Sequence, residues 1–210
     1  MAEKKERNKM YTSPKGTAAY PWLTKPDTKF KADGEFSVRL KVPADEAASL
    51  IALIEEARKA SAAAAKEENP KKAIKMADPP YKPEVDDEGN ETGNYLFNFK
   101  QGALIKTKDG EVIKVVIKIF DAKGKALTGV IVGAGSTIKV AFQLNKFYTA
   151  MLGAGVSLRL KAVQVIDLIE PQGGSAESYG FCEEEGYESE DVAFDGQPAP
   201  EGNPPTNGDF

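Results

Sequence analysis

Apolar and polar residues alternate with a period of two along several segments of this chain, and this alternation predicts β-strands. In residues 36–42 every second residue is apolar, and the residues between them are Ser37, Arg39 and Lys41. Alternation or a β-branched, apolar composition also marks residues 95–100, 112–120, 138–142 and 156–169. The pattern therefore predicts five strands, the first of which has a basic outer face.

One helix is predicted between the first and second of these strands, from about Asp45 to Lys66. Its apolar stripe at helical spacing consists of Leu50, Ile51, Ile54 and Ala57. Residues 1–33, with three prolines and scattered lysines, are predicted to be irregular and extended, and residues 70–93 to form a loop rich in proline and lysine.

Five strands, one interposed helix and glycines at tight corners favour a mainly β protein. The architecture we expect is a five-stranded oligonucleotide/oligosaccharide-binding (OB-fold) barrel. A generic β-sandwich with one helix is the alternative.

Charge divides the chain into two unequal parts. All 28 Lys and Arg residues precede residue 162, whereas residues 162–210 contain 12 Asp and Glu residues. Apolar residues are isolated in residues 171–210, so little burial is available there to offset the entropy of ordering. We therefore expect a folded domain over residues 1–170 and a disordered acidic C-terminal tail over residues 171–210. A basic body of this kind indicates a polyanion as ligand.

Composition argues against several kinds of chemistry. The chain has no histidine and a single cysteine, Cys182, which leaves no His-dependent triad, thiolate cluster or disulfide framework. The acids Asp86, Asp87 and Glu88 are interpreted as a solvated turn rather than a metal site. No apolar run approaches 18 residues, and the basic N-terminus is not followed by an apolar region typical of a signal peptide. We expect neither cofactor nor catalytic residues.

Aromatic residues next to lysines suggest which polyanion binds. Single-stranded nucleic acid is held by cations on its phosphates and aromatic rings stacked on its bases. Three clusters combine both, and they are Tyr20, Trp22 and Lys25; Phe97, Phe99 and Lys100; and Lys146, Phe147 and Tyr148.

Each aromatic residue also has a purely structural interpretation. Phe97 and Phe99 share a strand face with Tyr95, so we expect them in the core, with Lys100 pointing the opposite way. Trp22 either stacks on a base or closes the open side of the barrel. Of the adjacent rings Phe147 and Tyr148, one is expected to pack in the core and the other to be free to stack on a base. Tyr148 is the preferred candidate for stacking.

Three further cations are predicted on outward strand faces: Arg39, Lys41 and Lys139. Solubility is the alternative explanation for each of them. On a basic domain, the three together favour a groove for a polyanion.

Ordered sequence motifs then identify a family. These are YTSPKGTA (11–18), KPD (25–27), FNFK (97–100), DAKGKAL (121–127), VIVGAGSTIKV (130–140), GAGVSLRL (153–160) and a terminal GDF. With this order, the chain resembles the phage replication single-stranded DNA-binding proteins of the T7 type. The loop of residues 67–93 matches only in its basic, proline-rich character.

The resemblance implies an OB-fold that coats single-stranded DNA in phage replication, recombination and repair, in the cytoplasm of the infected bacterium. It implies a tail that occupies the DNA groove when DNA is absent, mediates dimer formation, and contacts the phage polymerase and helicase-primase. DNA contacts of the family fall on Lys100, on Phe147 or Tyr148, and loosely on Lys71 or Lys72. The terminal residues Asp209 and Phe210 correspond to the partner-binding end.

Two other classes of function stay open at this point. A metal-dependent enzyme acting on nucleic acid would need convergent carboxylates, whereas the acids of the body are dispersed. A structural adaptor would act through its tail and use the barrel as a scaffold.

Overall fold

The computed structural model of the protein describes residues 9–107 and 109–171, which contain one helix and eleven strands. The helix is α1 (Ala44–Glu68), and the five longest strands are β2 (Gly16–Asp27), β3 (Glu35–Pro43), β5 (Glu91–Gly102), β10 (Thr137–Thr149) and β11 (Gly153–Asp167). The short strands are β1 (Tyr11–Thr12), β4 (Tyr81–Val85), β6 (Leu104–Lys106), β7 (Val112–Lys114), β8 (Lys118–Phe120) and β9 (Ala126–Leu127). The predicted mainly β protein with one interposed helix is confirmed for this part of the chain.

The five long strands pair in a closed circuit. β2 pairs with β3, β3 with β5, β5 with β11, β11 with β10, and β10 with β2. Every pairing of the circuit is antiparallel except that of β5 with β11, which is parallel. β1, β4 and the β8–β9 pair extend this sheet, while β6 and β7 form a separate two-stranded sheet.

The core lies on one face of these strands. Val38, Leu40, Phe97, Phe99 and Phe142 are all completely buried, and the rings of Phe99 and Phe142 meet edge to face at 5.2 Å. Phe97 and Phe99 are therefore core residues, as their shared strand face predicted. Burying each such side chain stabilises the fold by about 1.5–3 kcal/mol.

Helix α1 covers part of this core through Ala47, Leu50 and Ile54, which are buried along one stripe. Its acidic first turn, with Asp45 and Glu46, complements the positive end of the helix dipole. The helix ends at Asn69, whose backbone N–H donates to the carbonyl of Ala65. No helix in the described ranges is long and apolar enough to span a membrane.

The prediction that residues 1–33 are irregular is wrong for residues 16–27, which form β2. Thr17, Ala18 and Ala19 pair with β3, and β2 tolerates its two prolines because the β2–β3 register is irregular beyond Ala19. A strand interrupted in this way need not supply a ladder N–H at every residue.

Residues 81–85 were predicted as part of a loop but form β4, whose single partner among the described strands is β5. Pro83 is compatible with this strand because an edge strand leaves one row of its backbone groups outside the ladder. A further error concerns residues 112–120, predicted as one strand. They divide into exposed β7 and into β8, whose Ile119 is buried against β11, since a continuous apolar run carries no periodicity that reveals a break.

Candidate nucleic-acid interface

Side chains that alternate with the core residues share the opposite surface of the sheet. The strand register places Arg39 opposite Asn98, Lys100 opposite both Ser37 and Arg159, and Phe147 opposite Gly155. We call this surface the outer face, and its residues are Ser37, Arg39, Lys41, Asn98, Lys100, Gln143, Asn145, Phe147, Ser157 and Arg159. Strands far apart in sequence thus present cations, amides and one aromatic ring side by side.

Tyr20 and Trp22 border the outer face at β2. Tyr20 is 71% exposed, and the guanidinium carbon of Arg39 lies 5.3 Å from its ring centroid. Its backbone adopts φ of 49°, a left-handed conformation that is unusual for a non-glycine residue. Trp22 lies opposite Ser37 and is about half exposed, so its ring is accessible to a ligand. A planar ring next to a guanidinium is an arrangement that stacks a base and binds its phosphate.

Lys100 is held by the carboxylate of Glu35, two residues before Ser37 in β3. Its Nζ lies 3.2 Å from Oε1 of Glu35, and the other Glu35 oxygen accepts a hydrogen bond from Lys31. Partial burial alone would raise the pKa of Glu35, but the hydrogen bonds and charges of Lys31 and Lys100 outweigh it and hold the pKa below its ordinary value. An anionic ligand that contacts Lys100 therefore competes with Glu35.

A similar pair lies at the other end of β3. Lys41 Nζ is 3.2 Å from Glu84 Oε1 of β4, and the Glu84 carboxylate also accepts hydrogen bonds from Thr92 (2.6 Å) and Asn94 (2.9 Å). The hydrogen bond from Thr92 is the main reason that the pKa of Glu84 is lowered. Arg39, which lies between Lys41 and the Glu35 pair, has no carboxylate within 4.0 Å in the part of the chain that the structure describes.

A depression of about 260 Å³ opens beside Lys100. Glu35, Asn145, Ser157 and Arg159 line it together with Lys100 and the backbone of β5. Its walls combine a carboxylate, two cations and neutral donors and acceptors, so it can bind a polar group that carries both donors and acceptors.

The third predicted cluster lies toward the end of β10. Phe147 is half-buried, and its ring lies over Gly155, where an added Cβ would come within 2.8 Å of it. The Phe147 carbonyl accepts a hydrogen bond from Ser61 of α1. Tyr148 is also half-buried and Lys146 is exposed, so neither ring is fully in the core.

The other predicted contacts are more scattered. Lys139 lies opposite Gln164, at the opposite end of β10 from Phe147. Lys25 is exposed near the end of β2, and Lys71 and Lys72 are exposed after α1. Asp209 and Phe210 lie outside the described residues, as does the whole predicted tail from residue 172 onward.

Sequence reasoning missed two groups of residues here. Arg159 and Lys161 alternate with buried Leu158 and Leu160 in β11, so the period-two pattern would have assigned them to the outer face had it been applied to this strand. Phe30 is 85% exposed in the turn between β2 and β3, and Lys29 lies over its ring at 5.6 Å. The search for aromatic residues flanked by lysines would have found it as well.

A separate polar cluster fastens α1 to the segment before β4. The Tyr81 hydroxyl donates to Glu55 at 2.8 Å, and Arg58 bonds both Glu55 and the carbonyl of Ala77. Burial, and then the hydrogen bond to Glu55, raises the pKa of Tyr81 to about 12. These side chains bond one another and serve the fold.

The acids 86–88 form the predicted turn. Asp86 accepts hydrogen bonds from the backbone N–H groups of Glu88 and Asn90, which is the usual role of an aspartate at the start of a turn.

Comparisons with known proteins agree on one family. The family model described as "Single-stranded DNA-binding protein, Bacteriophage T7" matches residues 15–168. The single-stranded DNA-binding protein of Escherichia phage T7 is 31% identical over 198 residues, which cover 85% of this chain and 84% of that protein. That of Enterobacteria phage T3 is 30% identical over 201 residues, which cover 86% and 85%.

Two solved structures are similar to this chain. The crystal structure of the single-stranded DNA-binding protein encoded by bacteriophage T7 matches with a TM-score of 0.66 and 29% identity, over 87% of this chain and 99% of that one. The single-stranded DNA-binding protein of bacteriophage Enc34, solved in complex with single-stranded DNA, matches with a TM-score of 0.57 over 78% and 89%. At 15% identity, the second match shows similarity of fold alone.

Proposed function

The chain belongs to the family of phage single-stranded DNA-binding proteins that includes the protein of bacteriophage T7, and from this membership we propose that it coats single-stranded DNA during phage replication. Recombination and repair, which expose the same single strands, are part of the proposal. Its site of action is the cytoplasm of the infected bacterium. The observation that carries the proposal is the accessible Tyr20–Arg39 stack beside Trp22, on a face that also holds Lys100.

The proposed mechanism needs no sequence readout. Bases stack on Tyr20 and Trp22, because every base presents a π-face, and each stack contributes about 1–3 kcal/mol. Phosphates bind Arg39, Lys41 and Lys100, the last two by displacing their carboxylate partners. A protein that coats any single strand requires contacts of this sequence-tolerant type.

We propose that the remaining predicted contacts lie on either side of this site and extend it. Phe147, Tyr148 and Lys146 extend it along β10, with Phe147 on the outer face itself. Lys25, Lys71, Lys72 and Lys139 act as surrounding positive charges that attract the strand.

We infer an OB-fold barrel as the scaffold. Support comes from the closed circuit of five strands, with β5 and β11 as its parallel pair. In OB-folds the second and third strands of the barrel form the binding face. These correspond to β3 and β5, which carry Arg39 and Lys100.

We propose that the acidic tail regulates this site and recruits partners. Residues 171–210 carry ten Asp and Glu and no Lys or Arg, so the segment can compete with DNA for a cationic face. Asp209 and Phe210 combine carboxylates with an aromatic ring, which suits docking to the phage polymerase and helicase-primase or to a second copy of the chain.

Binding of labelled oligo-dT by the full-length protein tests the proposed function. We expect tight binding that weakens steeply as salt rises, because phosphate contacts release counter-ions. Trp22→Ala is expected to weaken binding roughly 5- to 150-fold, equivalent to about 1–3 kcal/mol for one stacked base. The control Trp22→Phe keeps an aromatic face and most of the affinity.

Two results would refute the proposal in different ways. Affinity independent of salt would rule out the electrostatic mechanism, and equal affinity of Trp22→Ala and the wild type would remove Trp22 from the site.

Two further experiments test the alternative functions. Intact labelled strands after incubation with Mg²⁺ are expected of a protein without catalytic activity, whereas cleavage would favour the enzymatic alternative. If residues 1–170 alone fail to bind, the adaptor alternative is favoured.

A further inference from the structure

Three cations that the proposed mechanism leaves unused form a row that begins on the outer face. Arg159 of β11 lies opposite Lys100 of β5, Lys161 follows two residues later, and Lys118 of β8 lies opposite Ala162. Neighbouring strands are about 4.8 Å apart. Arg159, Lys161 and Lys118, which we call the β11 row, therefore continue the cations of the outer face from β5 across β11 to β8.

A β-bulge determines the position of Lys161. Leu160 pairs with Phe142 and Ala162 pairs with Ala141, so Lys161 has no partner on β10. A bulge redirects the side chain of the extra residue and increases the local twist. At this same place β11 stops pairing with β5 and begins to pair with β8. Lys161 thus lies between the residues that belong to the two pairings.

The β11 row has no internal counter-ion. Across residues 9–107 and 109–171, no carboxylate lies within 4.0 Å of the charged atoms of Arg159, Lys161 or Lys118, whereas Lys100 is paired with Glu35. Burial lowers the pKa of Lys161, and the charge of Arg159 lowers it further. Because like charges held together disfavour the protonated form, an anion bound between them would relieve this repulsion.

We propose that the β11 row is a phosphate-binding track, which takes over the phosphodiester backbone of a single strand as it leaves β3 and β5. This inference rests on the proposed function and extends it by a second set of contacts. An arriving phosphate meets the β11 row without displacing a carboxylate, in contrast to Lys100. The track therefore makes the first electrostatic contact, and Lys100 joins after it has exchanged Glu35 for phosphate.

The salt dependence of oligo-dT binding tests this track in the full-length protein. For single strands the slope of log K against log salt changes by about 0.7 per phosphate contact. The double variant Arg159→Gln with Lys161→Gln should reduce the slope by about 1.4. When salt rises from 50 to 200 mM, the fold-loss of affinity of this variant should then be about seven times smaller than that of the wild type. Adding Lys118→Gln should remove about a further 0.7.

Matched controls separate this contact from general charge and from folding. Lys15→Gln with Lys59→Gln removes the same number of charges from exposed sites elsewhere and should leave the slope unchanged. Arg159→Lys with Lys161→Arg preserves both charges and should retain the wild-type slope. If these two side chains only supported the fold, exchanging them would not be expected to preserve the slope.

An unchanged slope in the double variant Arg159→Gln with Lys161→Gln would overturn the track, while binding by the wild type would still support the proposed function. Failure of the wild type to bind oligo-dT would instead refute the proposed function.

Discussion

At the scale of single residues, Glu35 occupies the position against Lys100 that a phosphate would take. Its two oxygens bind two lysines, Lys31 and Lys100, and its side chain is only 17% exposed. A carboxylate in this place keeps Lys100 oriented while DNA is absent. In the proposed mechanism it also competes with every phosphate that approaches Lys100, so that one acid would both stabilise the folded face and weaken DNA binding to it.

Glu35→Gln should therefore increase the affinity for oligo-dT and lower the stability of the protein. The control Glu91→Gln removes an equal charge from an exposed residue, and the gain in affinity should exceed that of this control. Equal gains would show that Glu35 does not compete locally.

The stability effect of Glu35→Gln should depend on pH in a defined direction. The folded-state pKa of Glu35 is depressed below 4.5, so its ion pairs stabilise the fold above pH 4.5 and lose this effect as pH falls through the depressed value. Urea unfolding of wild type and variant from pH 7 to pH 3 should show a stability difference that is constant above pH 4.5 and becomes smaller as the pH is lowered further. A difference that grows as the pH falls would contradict this account.

At the scale of elements, the hairpin of β10 and β11 brings together the core, α1 and the outer face. Its turn ends at Gly153, whose φ of 94° requires glycine and whose position leaves only 2.2 Å between an added Cβ and the Lys75 carbonyl. Gly155 has no positive φ, but its environment is also restricted, because Ala77 and the Phe147 ring lie against it. The glycines of this strand thus make room for the segment after α1 and for an aromatic residue on the outer face.

Gly155→Ala should lower the free energy of unfolding by about 1–3 kcal/mol, the usual effect of overpacking. Its Cβ would lie 2.8 Å from both Ala77 and the Phe147 ring, so one of them must move. Gly102→Ala is the matched control, since its Cβ meets nothing closer than 3.5 Å. Urea unfolding followed by the fluorescence of Trp22, the single tryptophan, measures both variants. Equal stabilities would show that this site relaxes without strain.

At the scale of the whole molecule, charge is separated along the chain. The residues up to 161 hold every Lys and Arg, while residues 162–210 hold 12 acids and no cation. Such an arrangement lets one segment of the chain act as a tethered competitor for the cationic face of another. In the proposed regulation, affinity for DNA reflects a balance between the tail and the DNA strand.

Deletion of residues 171–210 should increase affinity for oligo-dT, most strongly at low salt, because it removes ten negative charges. A full-length variant in which these acids are replaced by Asn and Gln is the control for chain length, and it should bind like the truncated protein. Titration over a range of salt concentrations measures all three proteins. Unchanged or weaker binding after truncation would contradict competition by the tail.

Alternation and composition were sufficient for the class of fold, for the helix and for most of the core. They succeeded where one strand face is buried, as in β3 and in the run from Phe97 to Phe99, because burial imposes a period of two. They failed for β2 and β4, whose prolines suggested loops, since tolerance of proline depends on which backbone groups face a neighbouring strand.

The same distinction applies to the site. Local sequence identified Tyr20, Trp22, Arg39 and Lys100 as candidates, because residue type and strand face are local properties. That Arg39 stacks on Tyr20, that Glu35 holds Lys100, and that β11 places Arg159 beside them follow only from strand pairing. Contacts between residues on different strands depend on register, and register is a property of the assembled sheet that no single segment encodes.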